Sequence, residues 1–359
     1  MKNEEYWVKR AELVVLDSEK KAGQLLETLK TAYKNSLSDI DREIEAFFGR
    51  YAQDNKLSLV EINKRLNRKE LKTFKEQLKR YYDAVDRLTR ESNGKVDVRR
   101  LRQFKGELRE LSAKAYISRL EELKTKLKNV IVELGVTEST HFNDTLSQVY
   151  TDSYMAVSYD VDRQQGFSTG LEPKTQEFVQ STVNKNWAES NFSDRIWDNK
   201  SKLYEQMNTT FLQGVAQGFN PKKIAALISK KTGTAYSDCE RLARTESAHI
   251  AGEATYQRYR DIGITRYKFV ATLDNRTSEI CRQLDGRVFE VREKQVGVNY
   301  PPMHPNCRST TIAWFDDKTN EILFENAERA AKDGSGKIYY VPMSMTYKEW
   351  AATVNYAPP

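Results

Sequence analysis

The sequence predicts a predominantly α-helical protein of the α+β class, in which an elongated helical N-terminal region precedes a small C-terminal α+β module. Apolar residues recur every three or four positions over the first 134 residues, which is the spacing of one helix face. The first proline is Pro173, so no proline interrupts a helix before that point. Short runs of β-branched and aromatic residues, separated by turn signals, begin only after Gly263.

The N-terminal region, residues 1–135, is predicted to consist of long helices. Ser92-Asn93-Gly94 is a turn signal and indicates that two of these helices form a hairpin. The predicted apolar faces comprise Leu29, Tyr33, Leu37, Ile40, Ile44 and Phe47, then Leu71, Phe74, Leu78, Tyr81 and Val85, then Leu101, Phe104, Leu108 and Leu111. These faces must pack against one another or against a partner to be buried.

The middle region, residues 136–236, is also predicted to be helical, but its breaks are clearer. Residues 166–173 contain two glycines and a proline and are predicted to be a loop. Ser193 is the predicted N-cap of the helix that follows. Pro221 is predicted at the first position of the next helix, where its missing N–H costs nothing, and Gly233 is predicted to end that helix.

Residues 237–316 are the predicted α+β module. Ser237 opens a capping-box pattern and is predicted to begin a helix that reaches about Asp261 and is closed by Gly263. Residues 267–271 and 309–314 have the composition of strands. Between them, Asp285-Gly286 is predicted to form a hairpin-like turn.

The C-terminal tail, residues 317–359, is predicted to contain three short elements. Residues 321–332 are predicted to be helical, and residues 338–341 are a strand candidate. Thr346 is the predicted cap of a final short helix.

The composition limits the class of protein. The net charge is +7, and residues 61–130 hold 21 basic and 11 acidic groups, so the basic excess lies in that segment. No run of about 18 apolar residues exists, which predicts no membrane span. Three cysteines in so long a chain argue against a disulfide framework, and no apolar signal segment follows Met1. We therefore expect folding in a reducing cytoplasm.

The basic segment is a candidate surface for phosphate contact without base readout. The alternative is a solvated helix face that is rich in lysine. The candidate contact residues are Lys64, Arg65, Arg68, Lys69, Lys72, Lys75, Lys79, Arg80, Arg99 and Arg100.

Cys281, His304 and Cys307 are candidate metal ligands, because zinc prefers thiolate and imidazole in a tetrahedral set. These three residues leave one position open, which Asp274 or Cys239 could fill. The alternative is that Cys281 packs as a small apolar residue while His304 stabilises a turn beside its prolines.

Glu246 and His249 are three residues apart on a predicted helix and therefore share a face. Such a pair could perform acid–base chemistry, or it could be a polar face that anchors the helix. An enzyme of the nuclease or transferase kind, using Glu246, His249, Arg276 and His304, is accordingly the alternative to a structural role. A helical scaffold or adaptor is a third reading, but it leaves residues 274–308 without an explanation.

The order of motifs over residues 190–315 resembles the minor head proteins of tailed phages, the Mu F-like head morphogenesis family. The resemblance includes Phe192 to Trp197 and the break at Asn220-Pro221. Its other motif residues, for which the resemblance implies a structural role, are Arg244, Thr245, Glu246, Asp274, Arg276, Thr277, Asp285, Gly286, Pro302 and Arg308.

One departure from the family pattern concerns the metal. Many members carry Cys-x-x-Cys followed by His-x-x-Cys-Arg-Cys, whereas Ser278 and Ser309 stand at two of those cysteine positions here. The sequence therefore predicts no resident cofactor, with zinc as the alternative.

The resemblance implies a non-enzymatic component of the virion that lies inside the capsid near the portal. Its expected partner is the portal protein, with the scaffold and major capsid proteins as further partners and phage DNA bound without sequence preference. Assembly is expected in the host cytoplasm without a membrane.

Overall fold

The computed structural model describes residues 5–52, 56–92, 95–165, 172–315, 328–333, 335, 337–342 and 344–354, with the side chains of 5–9 and 159–165 left out. Its helices are α1 (Glu5–Tyr51), α2 (Leu59–Ile62), α3 (Arg68–Glu91), α4 (Val98–Ala113), α5 (Arg119–Gln165), α6 (Gln176–Val183), α7 (Phe192–Ala216), α8 (Pro221–Asp261), α9 (Glu279–Leu284) and α10 (Tyr347–Thr353). Its strands are β1 (Arg266–Val270), β2 (Val288–Glu290), β3 (Thr310–Trp314), β4 (Glu328–Lys332) and β5 (Ile338–Pro342). The predominantly helical α+β class is confirmed.

Two compact units divide the chain. The helical unit comprises Leu25–Asp144 and Asn186–Glu240, and the sheet unit comprises Met1–Gln24, Thr145–Lys185 and Arg241–Pro359. Within the described residues, no helix is both long enough and apolar enough to cross a membrane.

The helical unit is built around the predicted hairpin of α3 and α4. Phe74 and Leu78 of α3 and Leu101 and Phe104 of α4 are buried together, as their spacing predicted. The two chain ends of this hairpin are joined at its base, because Leu66 N–H donates to the Ile117 carbonyl at 2.8 Å and Arg119 N–H donates to the Lys64 carbonyl at 2.9 Å. Asn93 and Gly94 of the predicted turn lie outside the described residues.

The sheet unit contains all five described strands. β1 lies between β2 and β3 and pairs antiparallel with both, so that Tyr267 faces Phe289 on one side and Ala313 on the other. β4 and β5 form a second antiparallel pair. Lys332 N–H donates to the Leu273 carbonyl at 2.9 Å and so connects β4 to the segment that follows β1.

Several predicted boundaries are confirmed. α8 begins at Pro221 and ends just before Gly263, whose φ of 72° suits a residue without a side chain. Thr346 caps α10 with a complete capping box. β1, β3 and β5 lie within a residue or two of the predicted strands.

The predicted helix break at Gly233 and start at Ser237 are wrong, because α8 runs through both. A Cβ at Gly233 would meet no neighbouring atom, so this glycine lies on an open face. Ile228 and Cys239 are buried on the packed face and continue the stripe on either side of it. The Ser237 hydroxyl donates back to the Gly233 carbonyl at 3.3 Å, which is a bond of helix interiors.

The predicted N-cap at Ser193 is also wrong. Asn191 caps α7 by accepting the Asp194 N–H at 2.9 Å, and Ser193 is buried inside the first turn. The other part of this region that was predicted to be irregular, the loop at 166–173, lies mostly outside the described residues.

The helix predicted over 321–332 is wrong where it can be compared. Residues 328–332 form β4, which pairs with β5, and residues 321–327 lie outside the described residues. Tertiary pairing overrides local preference here, since the strand places Arg329 and Ala331 in the core of the unit.

Candidate functional site

The segment between β1 and β3 folds back on itself through two buried carboxylates. The first is Asp274, which accepts the Arg276 N–H at 3.0 Å and the Thr277 hydroxyl at 3.1 Å. Its two oxygens also accept both terminal nitrogens of Arg308. Burial acts to raise the pKa of the Asp274 carboxyl, but the hydrogen bonds and charge of Arg308 outweigh burial and hold that pKa below its ordinary value.

The second carboxylate, Asp285, accepts four hydrogen bonds. Two come from backbone N–H groups, those of Ala271 and Tyr347, each at 2.8 Å. The other two come from the guanidinium of Arg329, at 2.9 and 3.0 Å. One side chain thus holds together the end of β1, the strand β4 and the start of α10.

Gly286 completes the predicted turn, although the turn joins α9 to β2 and is not a hairpin between two strands. Its φ of 79° lies in the left-handed region, which favours glycine. Its N–H donates to the Phe269 carbonyl at 2.9 Å. Asp285 and Gly286 therefore hold the shape of the module.

The structure brings the three predicted metal ligands together. The Cys281 sulfur lies 3.5 Å from His304 Nε2 and 3.7 Å from the Cys307 sulfur. The three ligand atoms all lie within 4.8 Å of one another. A tetrahedral zinc site with ordinary bond lengths has ligand–ligand distances of about 3.3–3.8 Å, so two of the measured distances match its edges.

Hydrogen bonds orient this cluster. His304 Nδ1 donates to the Pro305 carbonyl at 2.9 Å, which leaves Nε2 directed at the sulfurs. Hydrogen bonds from Cys281 and His304 outweigh burial and lower the pKa of the Cys307 thiol well below its ordinary value. The hydrogen bond to Cys307 and burial raise the pKa of Cys281, so that one thiolate is shared by the pair.

Neither residue considered for the fourth position supplies a ligand. Both oxygens of Asp274 are engaged by Arg308, and Cys239 is buried in the helical unit, whereas the cluster belongs to the sheet unit. Ser278 and Ser309 stand at the two positions where the family pattern has cysteine, and the Ser278 hydroxyl accepts the Cys281 N–H at 3.4 Å. Zinc at this cluster stays a prediction.

Replacing Ser278 by cysteine is expected to raise zinc affinity on the order of a hundredfold, because it adds a fourth strong ligand to the three that are already grouped. Competition with a chromophoric chelator measures the change, and elemental analysis gives the stoichiometry. Ser181→Cys, which adds an exposed thiol on α6, is the control and should leave affinity unchanged. Equal affinities for Ser278→Cys and wild type would contradict the proposed ligand geometry.

The predicted motif on α8 also contacts this segment. The Thr245 hydroxyl accepts the Asn306 N–H at 3.1 Å, and Asn306 itself has a left-handed φ of 59°. Arg244 is exposed, while Glu246 and His249 are 2% and 5% exposed. Pro302 follows Pro301 through a cis peptide bond. Thr245 thus joins α8 to the loop before β3, whereas the two alternatives for Glu246 and His249 stay predictions.

The predicted phosphate-contact residues lie in the helical unit. All ten are exposed or half-buried on α3, on α4 or in the connection before α3. Some are already paired: Lys64 with Glu61, Arg99 with Asp97, Arg100 with Asp198 at 3.3 Å, and Arg65 over the Tyr116 ring. The remaining six lie on α3.

Comparison with known proteins supports the resemblance that the motifs predicted. The family described as "Phage Mu protein F like protein" matches residues 205–312. A protein of Enterococcus faecalis named "NAD(+)--arginine ADP-ribosyltransferase EFV" is 23% identical over 213 residues, which cover 55% of this chain and 42% of that protein. An uncharacterized protein of Haemophilus influenzae is 23% identical over 279 residues, covering 77% of this chain and 59% of its own.

The chain therefore spans less than two thirds of the length of either relative. No solved structure matches it. Residues 205–312 are thus similar to phage Mu protein F like proteins.

Proposed function

We propose that this chain is a structural minor head protein of a tailed phage, which joins the head at the portal vertex during assembly and resides inside the capsid. The observation that carries the proposal is how two carboxylates of the family motif, Asp274 and Asp285, are used. Asp274 with Arg308, and Asp285 with Arg329, form buried or half-buried ion pairs that hold loops and strands in place. Because these charged groups make internal contacts, they support the interpretation of this part of the chain as a rigid docking module.

Co-purification tests this proposal directly. The full chain is mixed with a portal ring and, separately, with scaffold and major capsid proteins, and assemblies are isolated by density-gradient sedimentation. Retention with the portal and incorporation into heads are expected. Heads that assemble with normal composition and infectivity after deletion of this chain would contradict the proposal.

DNA contact is the finer part of the proposal, and a row of cations on α3 supports it. Arg68, Lys72, Lys75 and Lys79 recur at intervals of four, three and four, so they lie along one side of the helix, opposite to buried Phe74. Within the described part of the chain, none of the four forms an ion pair, and the same holds for Lys69 and Arg80. A row of unpaired cations suits contact with a phosphate backbone.

Changing Arg68, Lys72, Lys75 and Lys79 together to glutamine is expected to weaken binding of duplex DNA for all sequences alike. The slope of log affinity against log salt should fall by about 3–4, since each lost phosphate contact removes about one unit. Fluorescence anisotropy over a salt series measures both quantities.

The matched control changes four exposed lysines elsewhere in the helical unit, Lys202, Lys222, Lys230 and Lys231, to glutamine. It removes the same number of positive charges and should preserve most of the slope of log affinity against log salt. Equal losses in the two variants would assign the effect to net charge alone and remove α3 as the DNA-contacting surface.

A second candidate function is a transferase, which the printed name of the Enterococcus faecalis relative favours. It would use Glu246, His249, Arg276 and His304. Burial of Glu246 and His249 weighs against it, because a substrate would have little access to them. If it holds, His304→Ala abolishes a nucleotide-consuming reaction while the fold survives; on the structural proposal, no such reaction exists and the same change impairs head assembly.

A further inference from the structure

A cavity of about 480 Å³ lies within the sheet unit, beside the Cys281–His304–Cys307 cluster. Its walls are the start of α1, one face of α8, the double-proline loop and the loop that leads into β3. The volume falls within the range of small-molecule sites in proteins. The structural role proposed for this chain does not require such a cavity.

The charges in the wall are mostly positive. Arg244, Arg276, Arg308 and Lys332 line the cavity, whereas Glu19 is the one carboxylate in its lining. Within the described residues, Arg244 and Lys332 form no ion pair, and Arg276 reaches Asp274 only at 4.0 Å. Only Arg308 is fully paired. The cavity therefore presents uncompensated positive charge from three separate segments of the chain.

The rest of the wall is apolar or small. Val14 and Val15 come from α1, and Ala248 and Ala251 lie on the same face of α8 as Arg244. Gly252 continues that face, and a Cβ there would lie 3.3 Å from both the Pro301 carbonyl oxygen and the Tyr300 ring. The small residues keep the loop close to α8 and leave room in front of it. A cavity with an apolar wall and several cations suits a ligand that has an apolar ring and more than one negative charge.

We propose that this cavity binds a nucleoside diphosphate or a closely similar compound, one that joins an aromatic ring to two phosphate groups. Arginine presents a planar set of donors that matches phosphate oxygens in pairs, and three of the four cations are arginines. A ligand with a single carboxylate would leave most of these positive charges unneutralised, so a ligand with more than one negative charge is favoured. The hydroxyls of Ser18 and Thr255 donate to the Val15 and Ala251 carbonyls, so their oxygens can accept hydrogen bonds from the hydroxyls of a ribose.

Isothermal titration calorimetry at low salt tests the proposal on the full chain. The probes are ADP, pyrophosphate, adenosine and citrate. ADP should bind most tightly, pyrophosphate more weakly because the ring contact is missing, and adenosine and citrate least. Replacing both Arg244 and Arg276 by glutamine should weaken ADP binding about tenfold to a hundredfold for each charge-assisted hydrogen bond lost.

These substitutions suit the test because Arg244 and Arg276 are both exposed, so folding should survive their loss. Arg292→Gln, an exposed arginine of the sheet unit outside the cavity wall, is the control and should bind ADP like wild type. Absence of ADP binding, equal binding of ADP and citrate, or equal ADP affinity in the double variant and wild type would each overturn the proposal. Loss of duplex DNA binding in the double variant, without ADP binding in wild type, would assign these arginines to DNA instead.

Discussion

Replacing Asp285 by alanine should destabilise the sheet unit by about 3–5 kcal/mol, the cost of leaving a buried partner charge alone. The Arg329 side chain is 3% exposed, and both nitrogens that it directs at Asp285 would lose the carboxylate and keep only the carbonyls of Met345 and Ala271 as acceptors. The backbone N–H groups of Ala271 and Tyr347 would lose theirs as well. This substitution removes more buried hydrogen bonds than any other single change considered for this unit.

Because the chain has two units, a single melting curve would mix their transitions. Hydrogen exchange by mass spectrometry resolves them, and faster exchange is expected in β1 and β3 while the peptides of α3 and α4 stay protected. Glu293→Ala, which removes an exposed carboxylate of the sheet unit, is the control. A change below about 0.5 kcal/mol in Asp285→Ala would show that the four hydrogen bonds add nothing to stability.

The double variant Asp285→Ala with Arg329→Met distinguishes two causes of the lost stability: an unpaired charge in the core and the loss of hydrogen bonds. Removing both charges should recover part of the loss, because no uncompensated charge stays in the core. A double variant as unstable as the sum of its single variants would mean that the two side chains act independently, against the geometry described here.

Much of the architecture is visible in the sequence because it depends on local patterns. The stripes of α3 and α4 follow from spacing alone, and the grouping of Cys281, His304 and Cys307 follows from their shared chemistry. The role of Asp285 does not follow in this way. Its partner Arg329 lies 44 residues later, in a segment whose local composition favours a helix. Long-range pairing of that kind has no local signature.

The sequence does not predict the cavity, for a related reason. Arg244, Arg276 and Arg308 were recognised as motif residues, but Val14 and Lys332 belong to segments far from the motif in the chain. Only the fold places them around one space. A sequence signal does exist for the buried cluster of the helical unit, because Lys200 interrupts the apolar stripe of Ile196, Leu203 and Met207. A lysine at such a position predicts a buried acidic partner.

That partner is Glu138. Lys200 Nζ lies 2.5 Å from Glu138 Oε2 and donates to the Tyr33 hydroxyl at 2.6 Å, and the Tyr33 hydroxyl donates to Glu138 at 3.0 Å. Lys200 is 1% exposed and Glu138 is fully buried. Replacing Lys200 by methionine should cost about 3–5 kcal/mol, because it leaves the buried Glu138 carboxyl without its cationic partner.

Exchange of the amides in α5 and α7 measures this loss within the helical unit. Lys202→Met, the same substitution at an exposed position two residues away, should change stability by less than about 0.5 kcal/mol. Since a lysine and a methionine differ little in length, the comparison isolates the buried charge from changes in packing. Equal exchange rates in the two variants would mean that water already reaches Glu138 in the native protein.

The double variant Lys200→Met with Glu138→Leu gives the stronger result. Paired charges in a core often contribute less than apolar side chains of similar volume, so the double variant should regain most of the stability that Lys200→Met loses. The Tyr33 hydroxyl, whose one proton Glu138 accepts in the wild type, can then donate to the Ala235 carbonyl 3.3 Å away. If the double variant instead stays as unstable as Lys200→Met, the loss of stability comes from packing around Trp197 and Gly135 and not from the ion pair. Packing is tight at this point, since a Cβ added at Gly135 would lie 2.8 Å from the Trp197 ring.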